Sequence, residues 1–256
     1  CYVSTNGKEV LTANYSGGNM SVFRLRKDGT LSPAEALFKG TANGPDTIRQ
    51  IVPHIHCALF SPDGKYIFAT DFSADRILRF TLSSEGNISH LPGEATDIAP
   101  DSGPRHLTFS PNGKFAYLIN ELSGKVITFG YTDGTLEQIQ SIAADSLQAR
   151  GSADIHLSPD GKFLYASNRL EGDGIAIFAV DTVNGTLTRA GYQSTGIHPR
   201  HFNITPNGKY LLAACRDSNV IQIYERDTEN GLLKDTQQDI LIDKPVCVQF
   251  IPPFHN

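Results

Sequence analysis

The chain has 256 residues, 39% of them hydrophobic and 19% charged, and a formal net charge of -5. No basic stripe is available for a phosphate backbone, and no apolar run approaches the ~18 residues of a membrane-spanning helix, so neither nucleic acid nor membrane is an expected partner. Cys1, Cys57, Cys215 and Cys247 stand singly, without the paired spacing of a zinc site or a disulfide framework. Reduced thiols, a cytoplasmic location and no metal or other cofactor are expected.

The first element met along the chain is Ser4-Thr-Asn-Gly-Lys8. It returns as Ser61-Pro-Asp-Gly-Lys65, Ser110-Pro-Asn-Gly-Lys114, Ser158-Pro-Asp-Gly-Lys162 and Thr205-Pro-Asn-Gly-Lys209, at steps of 57, 49, 48 and 47 residues. That period suits the blades of a β-propeller. Each pentapeptide is a turn: proline presets φ, glycine supplies φ > 0, and Asp63 and Asp160 serve turn geometry rather than metal binding. The flanking runs, such as His56–Phe60 and Tyr66–Thr70, are short and rich in strand formers, which gives a hairpin. Arg76–Phe80 continues as a third strand, and a turn of the type Tyr131–Leu136 leads into a weakly marked fourth. The expected fold is all-β, a propeller of four-stranded antiparallel blades, with 1–256 forming one domain. Segments 41–53 and 143–150 read as insertions between blades, the first as a rim loop.

Near the end of the chain, Pro245-Val-Cys-Val-Gln-Phe-Ile251 reads as the first strand of a further copy. Propellers commonly close their ring by completing one blade from both termini. One whole blade and three strands, on the order of ~90 residues, are therefore expected before Cys1. The alternative is a closed five-bladed ring in which 245–251 replaces the strand at Cys1–Val3.

Aligning the copies on the turn exposes the positions available for chemistry. Five residues before it stand His56, Arg105, Ala153 and Arg200, followed by Cys57, His106, Asp154 and His201. Eleven residues after its first residue stand Tyr15, Phe72, Glu121, Arg169 and Arg216. If the first strand of each blade is innermost, both sets meet on one rim of the central channel, where a site assembled from several blades would lie. Lone histidines at such rims are commonly structural, and His106, His156 and His201 carry that reading beside a substrate-binding one.

Gly103-Pro-Arg-His-Leu-Thr-Phe109 with Asn120-Glu121, Ala153-Asp-Ile-His156 with Asn168-Arg169, and His198-Pro-Arg-His-Phe-Asn203 occur in order along the chain. This set resembles the lactonase family of 6-phosphogluconolactonases, which also includes fungal carboxymuconate-lactonising enzymes. The resemblance implies a seven-bladed propeller, of which this chain would match the later five blades and a closing strand. It implies a cofactor-free hydrolase of a phosphorylated sugar lactone, with a lactonising isomerase or a non-catalytic binding platform as alternatives. The family's active-site residues would fall on His56, Arg105, Glu121 and Arg169. Lactone hydrolysis needs a base for water, cationic stabilisation of an oxyanion and an anchor for the phosphate. His56 and Glu121 compete as base, and Arg105, Arg169 and Arg200 are the cationic groups. His106, His156, His201 and Asp154 complete the expected substrate-binding set.

Overall fold

Local turn chemistry builds the repeat. In the second copy Ser61 Oγ donates to Asp63 Oδ1 at 2.5 Å, the same oxygen accepts the Lys65 amide at 3.1 Å, and Gly64 N–H closes on Ser61 O at 3.0 Å. Gly64 sits at φ +70°, which its missing Cβ permits. Ser110 with Asn112, Ser158 with Asp160 and Thr205 with Asn207 repeat the arrangement.

The computed structural model describes residues 1–40, 44–89 and 95–251. Within them the chain forms five antiparallel sheets in sequence order. The first contains β1 (Tyr2–Thr5), β2 (Glu9–Asn14), β3 (Asn19–Arg24) and β4 (Ala36–Lys39). The second contains β5 (Ile55–Phe60), β6 (Tyr66–Asp71), β7 (Arg76–Leu82) and an outer edge split into β8 (Ile88–Ser89) and β9 (Ala95–Asp97), both pairing with β7. The third holds β10 (Pro104–Phe109), β11 (Phe115–Asn120), β12 (Lys125–Thr132) and β13 (Thr135–Ala143), and the fourth β14 (Ser152–Leu157), β15 (Phe163–Asn168), β16 (Gly174–Val180) and β17 (Leu187–Ser194). The fifth contains β18 (Pro199–Ile204), β19 (Tyr210–Cys215), β20 (Val220–Arg226) and a second split edge, β21 (Leu233–Asp235) and β22 (Ile240–Leu241).

The first strands lie innermost, and β1, β5, β10, β14 and β18 each pack against the next. Apolar clusters fill the spaces between consecutive sheets. Leu11 and Ile67 meet between the first and second, Phe68 and Leu118 between the second and third, Tyr117 and Phe178 between the third and fourth, and Tyr165 and Phe202 between the fourth and fifth. A second contact recurs at the outer turns. Tyr117 and Tyr165 donate to the carbonyls of Gly185 and Gly231 in the following sheet, at 3.1 and 2.8 Å. Gly185 has φ +79°, and a Cβ there would fall 2.4 Å from the Phe115 ring. The third and fourth sheets are thus each locked to the next by a phenol and by a ring lying on bare glycine backbone.

Segment 245–251 enters no strand ladder. It is tethered to β18 through side chains: Asn203 Nδ2 donates to Val248 O at 3.1 Å, and the Val248 amide donates to His201 Nδ1 at 3.2 Å. An inner strand pairs with the second strand of its own blade, and the described residues contain no such partner for it. The first three residues of the expected 41–53 insertion lie outside the described residues.

Candidate active site

The column His56, Arg105, Ala153 and Arg200 falls on a recurring irregularity. The register shifts between Ile55 and Cys57, Pro104 and His106, Ser152 and Ile155, and Pro199 and His201. A β-bulge adds a residue to one strand and re-aims its side chains, so two neighbours such as Arg105 and His106 can both reach the channel. Hydroxyls on the second strand take up displaced amides: Thr70 Oγ1 accepts from Cys57 N, and Ser167 Oγ from Asp154 N, both at 3.0 Å. In the first sheet β1 pairs with β2 without any shift.

One cavity of about 240 Å³ is lined by Tyr15, Arg49, His56, Glu121, Arg169 and Arg200, among others. Glu121, which directly follows the second strand of the third sheet, is its electrostatic centre. It accepts from Arg49 Nη2 at 2.5 Å, Arg105 Nε at 2.8 Å and Arg169 Nη2 at 3.1 Å. Burial pushes the carboxyl pKa up, but Arg105, Arg169 and Arg49 outweigh it and hold it down at about 2. Glu121 is therefore ionised and saturated with donors. Arg105 is further fixed by the Ala153 carbonyl at 2.6 Å, and Arg169 by the Gly151 carbonyl at 2.8 Å and by His198 Nε2 at 3.3 Å. Asp217 in turn faces His198 Nδ1 at 3.3 Å.

Arg200 is the exception. Among the described residues it makes no hydrogen bond or ion pair, yet it borders this cavity and a second one. Four guanidinium groups therefore stand against the single carboxylate of Glu121, an excess of three positive charges. The crowding is felt: burial and then Arg105 lower the pKa of both Arg169, to about 10, and Arg200.

His56 lies on the same cavity and is buried. Desolvation first, then the charge of Arg105, drives its pKa well below the usual imidazole range, so the ring is neutral. Its Nδ1 is buried without a hydrogen-bond partner. Tyr15 and His106 hold the ring edge-on, with centroids at 5.2 and 5.1 Å.

The second cavity, about 340 Å³, surrounds a different carboxylate and includes Arg105, Arg200 and segment 246–249 in its wall. Asp154 Oδ1 faces His106 Nδ1 at 2.8 Å, while Oδ2 faces His156 Nε2 at 3.0 Å and His201 Nε2 at 3.5 Å. The amides of Ile155 and Phe202 also donate to it. The Nδ1 proton of His106 points to Asp154, which leaves its Nε2 to accept from Arg105 Nη1 at 3.3 Å. Asp154 thus braces Arg105 through His106.

Of the expected residues, His56, Glu121, Arg169 and Arg200 meet in the first cavity. Arg105 supports it from the wall of the second, where His106, His156, His201 and Asp154 lie. Arg216 of the aligned column pairs with Asp217 at the surface and joins neither. Arg49 was not visible as a site residue, because it sits in the 41–53 insertion and has no counterpart in other copies to compare it with. Its loop is built by Asp46, whose Oδ1 accepts the amides of Ile48 and Arg49, both at 2.8 Å. Arg150, from the other insertion, clasps Asp46 at 2.6 Å and Asp101 at 2.7 Å. The run Asp46-Thr-Ile-Arg49, an acceptor followed by a cation in a non-repeating segment, was the available signal.

Comparison with known proteins agrees with this architecture. A family model described as "Lactonase, 7-bladed beta-propeller" matches residues 1–250. A 6-phosphogluconolactonase of Formosa agariphila is 38% identical over 259 residues, covering 99% of this chain and 73% of the relative. The crystal structure of a 6-phosphogluconolactonase candidate from Bacteroides uniformis superposes with a TM-score of 0.96 at 74% identity, covering 98% of this chain and 73% of that one. The periplasmic gluconolactonase PpgL of Pseudomonas aeruginosa superposes with a TM-score of 0.90 at 33% identity, covering 98% and 72%.

Proposed function

The chain belongs to the lactonase family of seven-bladed β-propellers, and on that premise we propose that it hydrolyses 6-phosphogluconolactone to 6-phosphogluconate, a step of the oxidative pentose phosphate route. The observation that carries this reading is a neutral imidazole, His56, in one cavity where Arg49, Arg169 and Arg200 face the single carboxylate of Glu121, with Arg105 behind it as a further cation. Such a cavity favours an anionic ligand and an anionic transition state together.

In this mechanism His56 takes a proton from the water that attacks the lactone carbonyl. The tetrahedral oxyanion faces the guanidinium groups of Arg49 and Arg169 on the cavity wall. When the bond from the carbonyl carbon to the ring oxygen breaks, the imidazolium returns the proton to the departing alkoxide. The low pKa of His56 makes it a modest base but a strong acid, which suits this second half. Glu121 holds Arg49, Arg105 and Arg169 in place rather than accepting a proton, since three cations stabilise its charged form. Arg200 is the anchor for the phosphate. Cys57 and Cys215 are buried and free, and no disulfide joins the described cysteines. No helix among the described residues is long and apolar enough to cross a membrane.

Proton release by the full-length protein from 6-phosphogluconolactone and from its unphosphorylated counterpart tests the proposal. The expected result is hydrolysis well above the spontaneous rate, with kcat/KM greater for the phosphorylated compound. Equal values for the two would remove the phosphate anchor, and no hydrolysis of either would remove the lactonase reading.

A further inference from the structure

The second cavity contains a side-chain cluster that hydrolysis does not use directly. Asp154 Oδ2, His156 Nε2 and His201 Nε2 come from β14 and β18 and lie within 4.8 Å of one another. The first pair is 3.0 Å apart and Asp154 to His201 is 3.5 Å. Cys247 Sγ stands 4.0 Å from His201 Nε2, carried by the segment that enters no ladder. We propose that Asp154, His156, His201 and Cys247 form a binding site for a transition-metal ion of the zinc class.

Metal–ligand bonds of about 2.0–2.3 Å in a tetrahedron place ligand atoms roughly 3.3–3.7 Å apart. The 3.0, 3.5 and 4.0 Å separations bracket that range, so the three groups on β14 and β18 stand close to ligand spacing and Cys247 lies beside them. Two imidazoles, one carboxylate and one thiol suit zinc, cobalt or nickel and not calcium or magnesium, which need oxygen ligands. The carboxylate is already oriented, since His106 Nδ1 donates to Asp154 Oδ1 at 2.8 Å and the Ile155 and Phe202 amides donate at 3.0 and 3.2 Å. The ligands are reachable, because the four residues line one cavity.

Occupancy has a structural consequence. With no ion bound, His201 Nδ1 accepts from the Val248 amide, so its proton is on Nε2, facing Asp154. An ion on Nε2 moves that proton to Nδ1, and the Val248 amide must turn away. The thiol proton of Cys247 leaves to solvent. Metal binding is therefore coupled to a movement of 245–249, which brings Cys247 onto the ion and fastens this segment to β14 and β18.

The test uses the full-length protein stripped with a chelator and titrated with zinc or cobalt(II) chloride alone. One equivalent of cobalt should bind, with the visible bands of a tetrahedral site and a thiolate charge-transfer band. Cys247→Ser, a change at an exposed residue, should abolish the charge-transfer band and keep a bound ion. His156→Ala should abolish tight binding, and His106→Gln should weaken it by roughly 10–100-fold. Melting curves identify any variant that fails to fold, and the surface variant Cys247→Ser gives the decisive spectrum in that event. No saturable binding to the wild-type protein, or an unchanged cobalt spectrum in Cys247→Ser, overturns the proposal.

Discussion

Two buried carboxylates organise the channel in opposite ways. Glu121 is ringed by the guanidinium groups of Arg49, Arg105 and Arg169, and Asp154 by the imidazoles of His106, His156 and His201. Guanidinium groups stay charged at any working pH, so the first assembly is a fixed electrostatic frame. The second contains an imidazole, His156, whose pKa the Asp154 charge raises, so its charge state depends on pH. The difference teaches that one repeat can build two hubs at different positions and set them to different work. One supplies a constant field for an anionic reaction, and the other braces Arg105 while keeping a group that titrates.

The largest expected effect removes the frame's centre. Glu121→Gln leaves three buried or half-buried cations without their counter-charge and should destabilise the protein by about 3–5 kcal/mol, read from denaturant unfolding. A loss below about 1 kcal/mol would mean that the arginines find other partners and that Glu121 is not the frame's centre. Arg200→Ala tests the cation outside the frame. It should raise the activation free energy for the phosphorylated lactone by about 1.5–3 kcal/mol, with little change in melting temperature, because Arg200 supports no other described group. An equal loss on the unphosphorylated lactone would place Arg200 at the oxyanion instead of the phosphate.

Gly185→Ala lies outside both hubs and separates packing from electrostatics. Its positive φ and the Phe115 ring at 2.4 Å from a new Cβ should cost about 1–3 kcal/mol in stability while kcat/KM holds. A drop in kcat/KM at unchanged stability would show that blade packing sets the site geometry.

The smallest effect sharpens the contrast in titration. Burial presses the His156 pKa down, but the Asp154 carboxylate outweighs this and raises it above the usual 6.5. Such a group stabilises the fold below the unfolded pKa and loses that contribution as pH rises through the folded value. The stability difference between wild type and His156→Gln should therefore be largest below pH 6.5 and shrink on going alkaline. Glu121 works the other way, contributing above pH 4.5 and losing its contribution only as pH falls toward about 2. A pH-independent difference for His156→Gln would dissolve the distinction between the hubs.

The repeating framework was legible because its causes are local. Ser61, Asp63 and Gly64 make their turn with one another, so a short peptide suffices to read it. The columns through His56 and Glu121 pointed to the channel for the same reason. Three things were not legible. The bulges at Arg105 and Arg200 depend on pairing with β11 and β19, and only they explain how consecutive residues share a wall. The ionisation of Glu121 depends on Arg49, which arrives from a loop 72 positions away. The fate of 245–251 depends on a pairing strand, and apolar alternation alone does not form a ladder.

The central claim, that His56 moves the proton inside a cationic frame held by Glu121, is tested most directly by the turnover of 6-phosphogluconolactone in full-length His56→Asn. The expected result is a fall in kcat of roughly 10²–10⁴ with the melting temperature almost unchanged, since His56 Nδ1 has no partner to lose. Turnover close to that of the wild-type protein would contradict it and move the proton to another group in the cavity.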